Sequence, residues 1–316
     1  MITTNSERAK EVLENEGIIG FPTETVYGLA GNAFSEKAIR SIFQLKKRPL
    51  NNPLIVHVNS LDKIDFIADN MPLKARQLAD KFWPGPLTLL LKKSNKISDL
   101  VTAGQETVAV RIPNHPTALK LLESLDFPLV APSANPYQSI SPTSAKHVAD
   151  YFENELALVL DGGSCEKGLE STIVGFQDED VVIYRLGSIP LEDIEACIGM
   201  VKMNSGHELK SPGMDKKHYS PKTPMLVTNN IEEAIHLHTD QKRGIVCFNQ
   251  FPNIQEMENT ILYSFHGDLD FAASRLYGLM HELDHQDLDI LIFEEFPSIG
   301  LGKTINDRIK RASEIK

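Results

Sequence analysis

Apolar positions along the first two hundred residues switch repeatedly between a helical and an extended period. Over residues 6–16, Ala9, Val12 and Leu13 fall on one helical stripe, with Ser6 as the expected N-cap and Gly17 as the stop. The apolar run Ile18-Ile19-Gly20-Phe21-Pro22 then predicts a short strand, and the residues up to Leu29 a polar, glycine-containing turn. Ser35 is placed to cap a helix carrying Ala38, Ile39, Ile42, Phe43 and Leu45, which ends in Lys46-Lys47-Arg48 because Pro49 disfavours the helical conformation before it. The same reading predicts helices at 75–82, around 150–153 and at 191–198, and a Trp83-Pro84-Gly85-Pro86 turn. Strands are expected at 53–58, 87–91, 107–112, 128–131, 158–161, 171–175 and 181–185. Strands outnumber what a simple βαβ alternation supplies, so a twisted mixed α/β sheet flanked by helices is expected.

Between residues 204 and 224 the periodicity breaks into Gly, Ser, Pro and Lys, the composition of a linker. Beyond it, helices at 231–236 and 271–283 and strands at 244–248, 260–265 and 288–293 predict a smaller, Rossmann-like doubly wound unit. A chain of 316 residues exceeds one ordinary core. The expected division is therefore a domain over 1–203, a linker over 204–224 and a small α/β domain over 225–316.

Charge and motifs narrow the chemistry. With 43 acidic against 32 basic residues the formal charge is −11, which disfavours tight binding of nucleic acid but leaves room for a local anion pocket. Cys165, Cys197 and Cys247 form no CxxC pair, so no structural metal and a reducing compartment are expected. The N-terminus lacks a signal pattern and no apolar run of about 18 residues occurs, which predicts a cytoplasmic protein with no membrane partner. A P-loop and a GxGxxG fingerprint are both missing, so any ATP must occupy another kind of pocket.

Several polar groups stand where a core is predicted. Lys46, Lys47 and Arg48 either complement the helix macrodipole, worth about 0.3–1 kcal/mol each, or hold phosphates. His57 lies within Leu54-Ile55-Val56-His57-Val58, as a hydrogen-bonded core histidine or as a ligand. Arg111 interrupts Val108-Ala109-Val110-Arg111-Ile112, and a buried guanidinium needs a partner, either a protein carboxylate or that of a bound amino acid. The loop Ala131-Pro132-Ser133-Ala134-Asn135 follows a strand, as a plain turn or as the rim of a ligand site, and no GxSxG elbow surrounds Ser133.

Taken in order, Phe21-Pro22-Thr23-Glu24-Thr25-Val26-Tyr27-Gly28-Leu29, Lys46-Lys47-Arg48-Pro49, Trp83-Pro84-Gly85-Pro86-Leu87-Thr88, Arg111-Ile112-Pro113, Ala131-Pro132-Ser133-Ala134-Asn135 and Ser171-Thr172-Ile173 closely resemble the YrdC-type L-threonylcarbamoyladenylate synthases. Ser211-Pro212-Gly213-Met214 with His218-Tyr219-Ser220-Pro221, and Gly300-Leu301-Gly302 with Ile305-Asn306-Asp307-Arg308, look like the linker and C-terminal domain of the longer subfamily, although Asp215 and Lys216 depart from its linker pattern. The resemblance implies formation of threonylcarbamoyl-AMP and pyrophosphate from L-threonine, bicarbonate or CO2, and ATP, with Mg²⁺ accompanying the ATP. This is the first step of threonylcarbamoyladenosine modification, and the product passes to downstream tRNA-modifying proteins. The family's KxR and SxN pairs fall on Lys46 and Arg48 and on Ser133 and Asn135, implying catalytic roles. The resemblance places Thr25, His57, Arg111, Ala131 through its backbone, and Ser171 around threonine. It places Arg48, Asn52, Thr107, Ser133, Ser141, Arg185 and the lid residue Tyr219 around ATP. An RNA-binding module is disfavoured by the acidic charge, and a YrdC-like carbamoyltransferase by the missing cysteine-rich zinc modules.

Overall fold

A computed structural model describes residues 2–177, 180–204, 218–249 and 259–313. The chain divides into two compact units, Met1–Tyr137 with Ser141–Met214, and Gln138–Ile140 with Asp215–Lys316. Most of the expected linker, with Asp215 and Lys216, lies outside the described residues.

The first unit runs β1 (Ile2–Thr3), α1 (Ser6–Glu14), β2 (Ile19–Phe21), β3 (Gly28–Asn32), α2 (Glu36–Lys46), β4 (Ile55–His57), a 3₁₀ turn (Leu61–Phe66), α3 (Leu73–Phe82), β5 (Leu87–Lys92) and α4 (Asp99–Thr102). It continues with β6 (Thr107–Arg111), α5 (Pro116–Glu123), β7 (Leu129–Val130), α6 (Ala145–Phe152), β8 (Val159–Leu160), β9 (Thr172–Gln177), β10 (Asp180–Arg185), α7 (Leu191–Ile198) and β11 (Lys202–Met203). Among the described residues eleven strands form one mixed sheet, in the order β1-β8-β2-β3-β7-β4-β6-β5-β9-β10-β11. The expected mixed α/β sheet is present.

Side chains alternate across each strand, and this alternation sorts the sheet into two faces. Val56, Val108, Val110, Leu87, Leu89, Leu91, Val174 and Ile183 join Ile39 and Ile42 of α2, Leu78 of α3, Val148 of α6 and Ile194 of α7 in the main core. The residues between them, Ile55, Ala109, Leu90, Ile173, Val182 and Tyr184, form a separate small cluster on the other face. His57 and Arg111 fall in step with that second set, so the sheet itself keeps them out of the main core.

Local chemistry explains most boundaries and corrects some. The N-cap of α1 is Asn5, not Ser6: its side chain accepts the N–H groups of Glu7 and Arg8 at 3.0 and 3.4 Å. Ser35 caps α2 as expected, accepting from Ala38 at 3.2 Å. Helix α6 is longer than the predicted stretch around 150–153, because Ser144 caps it by accepting from His147. The glycine-containing turn expected up to Leu29 gives way to β3, a strand inside the sheet. A Cβ on Gly28 would stand 2.9 Å from the Cβ of Ala131, so the close approach there requires glycine.

The second unit comprises β12 (Met225–Thr228), α8 (Ile231–Leu237), β13 (Arg243–Cys247), β14 (Thr260–Ser264), α9 (Leu269–Asp284), β15 (Ile290–Glu294) and α10 (Leu301–Ser313). Its four strands pair in parallel, in the order β12-β15-β13-β14. This is the alternating unit expected, with β12 and α10 added to it. No described helix is long and apolar enough to cross a membrane.

Candidate active site

Strands β4 and β6 lie side by side in parallel, with His57 directly beside Arg111. Arg111 is 4% exposed. Its Nη1 donates to Thr25 Oγ1 at 2.8 Å and its Nε to the Gly85 carbonyl at 3.3 Å. Nη2 lies 2.7 Å from Glu24 Oε1. That pair meets the distance of an ion pair, yet neither Glu24 oxygen nor Nη2 makes a hydrogen bond among the described residues. Of the two partners open to Arg111, the fold therefore supplies a protein carboxylate, in an arrangement that leaves hydrogen-bonding capacity unused.

Thr25 is oriented from behind. Thr23 Oγ1 donates to the Val26 carbonyl at 2.7 Å, which uses its one proton, so the 2.9 Å contact between the two hydroxyls has Thr25 as donor. Thr25 Oγ1 then faces Arg111 with its lone pairs. His57 donates from Nδ1 to the Ile55 carbonyl at 3.2 Å and meets Phe21 edge-on at 6.0 Å. Burial, and then the nearby Arg111 charge, lower its pKa to about 3, so the ring is neutral with Nε2 as an acceptor.

A second group forms where α2 ends. Lys47 adopts a left-handed conformation, with φ of 53°, and stops the helix. Lys46 reaches the main-chain carbonyls of Ser133 and Asn135, both at 2.5 Å. It is 1% exposed, and burial followed by the charge of Arg48 drives its pKa well below the usual lysine value. Arg48 donates to the carbonyls of Asn52 and Pro53 at 3.4 and 3.0 Å. The loop 131–135 is tied to β3 through Leu29 N–H to the Pro132 carbonyl, and to the residue before β3 through Ala134 N–H to the Tyr27 carbonyl. The N–H of Ala131 is committed to the Ile55 carbonyl at 3.0 Å.

The third group joins Ser171 and Arg185. Arg185 donates to the Ser171 carbonyl from Nε and Nη2 at 3.1 and 2.9 Å, and from Nη2 to Ser171 Oγ at 3.0 Å. Ser171 Oγ also shares a 2.7 Å hydrogen bond with Thr88 of β5. Ser141 donates to Glu170 Oε1 at 2.7 Å. Thr107 stands apart: it opens β6 opposite Lys92, at the far end of the strand from Arg111. Tyr219 belongs to the second unit, where it is buried, stacks on Tyr277 at 5.5 Å and lies 5.0 Å under the Arg308 guanidinium.

Sequence reasoning did not single out Glu24, Thr88 or Glu170. The signal for Glu24 was available, since it is the one charged residue between Phe21 and Leu29.

The Sua5/YciO/YrdC family model, described as telomere recombination, matches residues 11–187. The chain belongs to this family. A second model, for the C-terminal domain of threonylcarbamoyl-AMP synthase, matches residues 189–314. The chain is similar to the threonylcarbamoyl-AMP synthase of Pyrococcus abyssi, with 37% identity over 94% of this chain and 90% of the relative. It is also similar to that of Bacillus subtilis, with 36% identity over 97% and 92%. The crystal structure of P. abyssi Sua5 complexed with L-threonine superposes with a TM-score of 0.90, at 34% identity, over 98% of this chain and 94% of that one. Family membership thus extends through both units.

Proposed function

We propose that this family member is an L-threonylcarbamoyladenylate synthase, making threonylcarbamoyl-AMP and pyrophosphate from L-threonine, bicarbonate or CO2, and ATP. The observation that carries the reading is Lys46, a lysine 1% exposed whose hydrogen-bond acceptors are two neutral carbonyls. A buried charge without a counter-charge is costly, and a polyphosphate supplies one.

On this reading Arg111 holds the threonine carboxylate, with Thr25, His57, Ser171 and the Ala131 backbone around the rest of the amino acid. Neutral His57 offers Nε2 as an acceptor for the threonine hydroxyl. Lys46 and Arg48, with Asn52, Ser133, Asn135, Ser141 and Arg185, surround ATP, and Thr107 adds to its contacts. The threonine ammonium first gives up a proton to solvent, and the free amine then adds to CO2 and sheds a second proton as the carbamate forms. A carbamate oxygen attacks the α-phosphate, and the bond to the β-phosphate breaks with pyrophosphate leaving. Lys46, Arg48 and Arg185 offset the charge developing on the leaving group, so positioning and electrostatics supply the rate. Mg²⁺ enters as part of the ATP substrate. The described residues contain no group of three or more His, Cys, Asp or Glu arranged to hold a metal ion, and no step here runs through one. The product is consumed by separate tRNA-modifying proteins in the cytoplasm.

Incubation of the purified chain with ATP, Mg²⁺, bicarbonate and L-threonine, followed by mass spectrometry, is expected to give the mixed adenylate and pyrophosphate. Absence of any threonine-dependent product would sink the reading. Arg111→Ala is expected to weaken threonine binding by about tenfold or more, as loss of a charge-assisted hydrogen bond implies, while ATP binding survives. Equal loss of both ligands in calorimetry would assign Arg111 to the scaffold.

A further inference from the structure

We propose that Glu24 receives the ammonium group of the substrate, so that Glu24 and Arg111 together form a receptor for an amino-acid zwitterion. The inference rests on the functional reading above and assigns a residue that reading leaves unused.

Glu24 is 3% exposed, and both of its carboxylate oxygens lack a hydrogen-bond partner among the described residues. Burying a carboxylate in that condition is expensive. The same is true of Arg111 Nη2, whereas Nη1 and Nε are committed to Thr25 and Gly85. The two groups are ion-paired at 2.7 Å, and each side of the pair keeps hydrogen-bonding capacity, most openly Glu24 Oε2. An α-amino acid carries the complementary pair, a carboxylate and an ammonium separated by a single carbon. Laid antiparallel on the pair, it gives its carboxylate to Nη2 and its ammonium N–H groups to the Glu24 oxygens. The four charges sum to zero, which suits a site away from water.

Among the described residues the cation paired with Glu24 is Arg111 itself, through Oε1. Cys165 lies beside it with its thiol pushed upward by burial and then by the Glu24 charge, so it stays protonated. His115 is close enough to feel Glu24, but its ring bonds to the Gly162 carbonyl at 3.2 Å. The backbone is pinned, since Lys167 N–H donates to the Glu24 carbonyl at 2.7 Å. Glu24 is therefore held in place beside Arg111, with Oε2 open to a further donor.

The test compares two ligands on three proteins. Wild type, Glu24→Gln and Glu24→Asp are titrated calorimetrically with L-threonine and with 2,3-dihydroxybutanoate of matching configuration, in which a hydroxyl replaces the ammonium. ATP binding serves as the folding control. Wild type is expected to prefer threonine by about tenfold or more, the range of a charge-assisted hydrogen bond. Glu24→Gln should lose most of that preference while its affinities for the hydroxy acid and ATP are unchanged, and Glu24→Asp should fall between. Equal weakening of both ligands would overturn the proposal and make Glu24 a prop for Arg111. Unchanged threonine affinity in Glu24→Gln would overturn it outright. If Glu24→Gln loses ATP binding, the preference ratio of Glu24→Asp decides by the same criterion. Failure of wild type to bind threonine at all would instead refute the functional reading, and the two failures are distinct.

Discussion

Lys46 sits where its own charge is least welcome. Burial and Arg48 both disfavour its ammonium form, and a polyphosphate beside it reverses that balance, because a nearby anion favours the charged state. ATP binding, at a pH above the depressed value, is therefore expected to draw a proton from solvent. Calorimetry in buffers of different ionisation enthalpy should detect the uptake in wild type and not in Lys46→Met, and buffer-independent heats in wild type would separate Lys46 from the phosphates. His57 gives a second titration. Its folded pKa of about 3 lies below its value of about 6.5 in the unfolded chain, so the unfolded chain takes the proton first as pH falls. Stability is fully present above about pH 6.5 and declines toward about pH 3, by at most about 1.4 kcal/mol per pH unit. His57→Asn, which can still donate to the Ile55 carbonyl, should flatten this slope in denaturant melts between pH 7 and pH 4.5. An unchanged slope would mean that other groups dominate acid unfolding.

The elements that bring these residues together differ in how openly the sequence announces them. Helix α2 is announced three times, by the Ser35 cap, by the stripe Ala38, Ile39, Ile42 and Phe43, and by the proline after Arg48, and it forms with its end at Lys46, two residues earlier than read. Strand β3 is silent, because Gly28, Leu29, Ala30, Gly31 and Asn32 are buried almost throughout and two of them are glycine, which leaves no alternation to detect. Strands of two residues such as β7 and β8 are too short to show a period. Gly28→Ala tests what the silent strand does. The added Cβ meets Ala131, just before the loop that carries Ser133 and Asn135. The expected outcome is a loss of about 1–3 kcal/mol in thermal stability, typical of overpacking, together with slower pyrophosphate release. A fully active, fully stable variant would show that the loop tolerates displacement.

At the scale of the whole molecule the formal charge of −11 sets what the chain can meet. Phosphate backbones are attracted through clustered cations and released counterions, and here the cations described in the site are buried, where only a small anion reaches them. In a fluorescence titration at physiological salt, tRNA is expected to show no saturation below about 10⁻⁵ M, and tight saturable binding would revise this expectation. The sequence by itself determined the mixed α/β class, the alternating second unit, the cationic end of α2 and the family motifs, because helical and strand periods, caps and prolines act within a few residues. Only the tertiary structure decided that Arg111 faces Glu24 and Thr25, the latter 86 positions away in the chain. It likewise decided that Lys46 turns to the carbonyls of Ser133 and Asn135, and that Thr107 stands at the opposite end of its strand from Arg111. The partner of a buried charge is whatever the sheet order carries to it, and sheet order is written in contacts between distant segments, which no local pattern records.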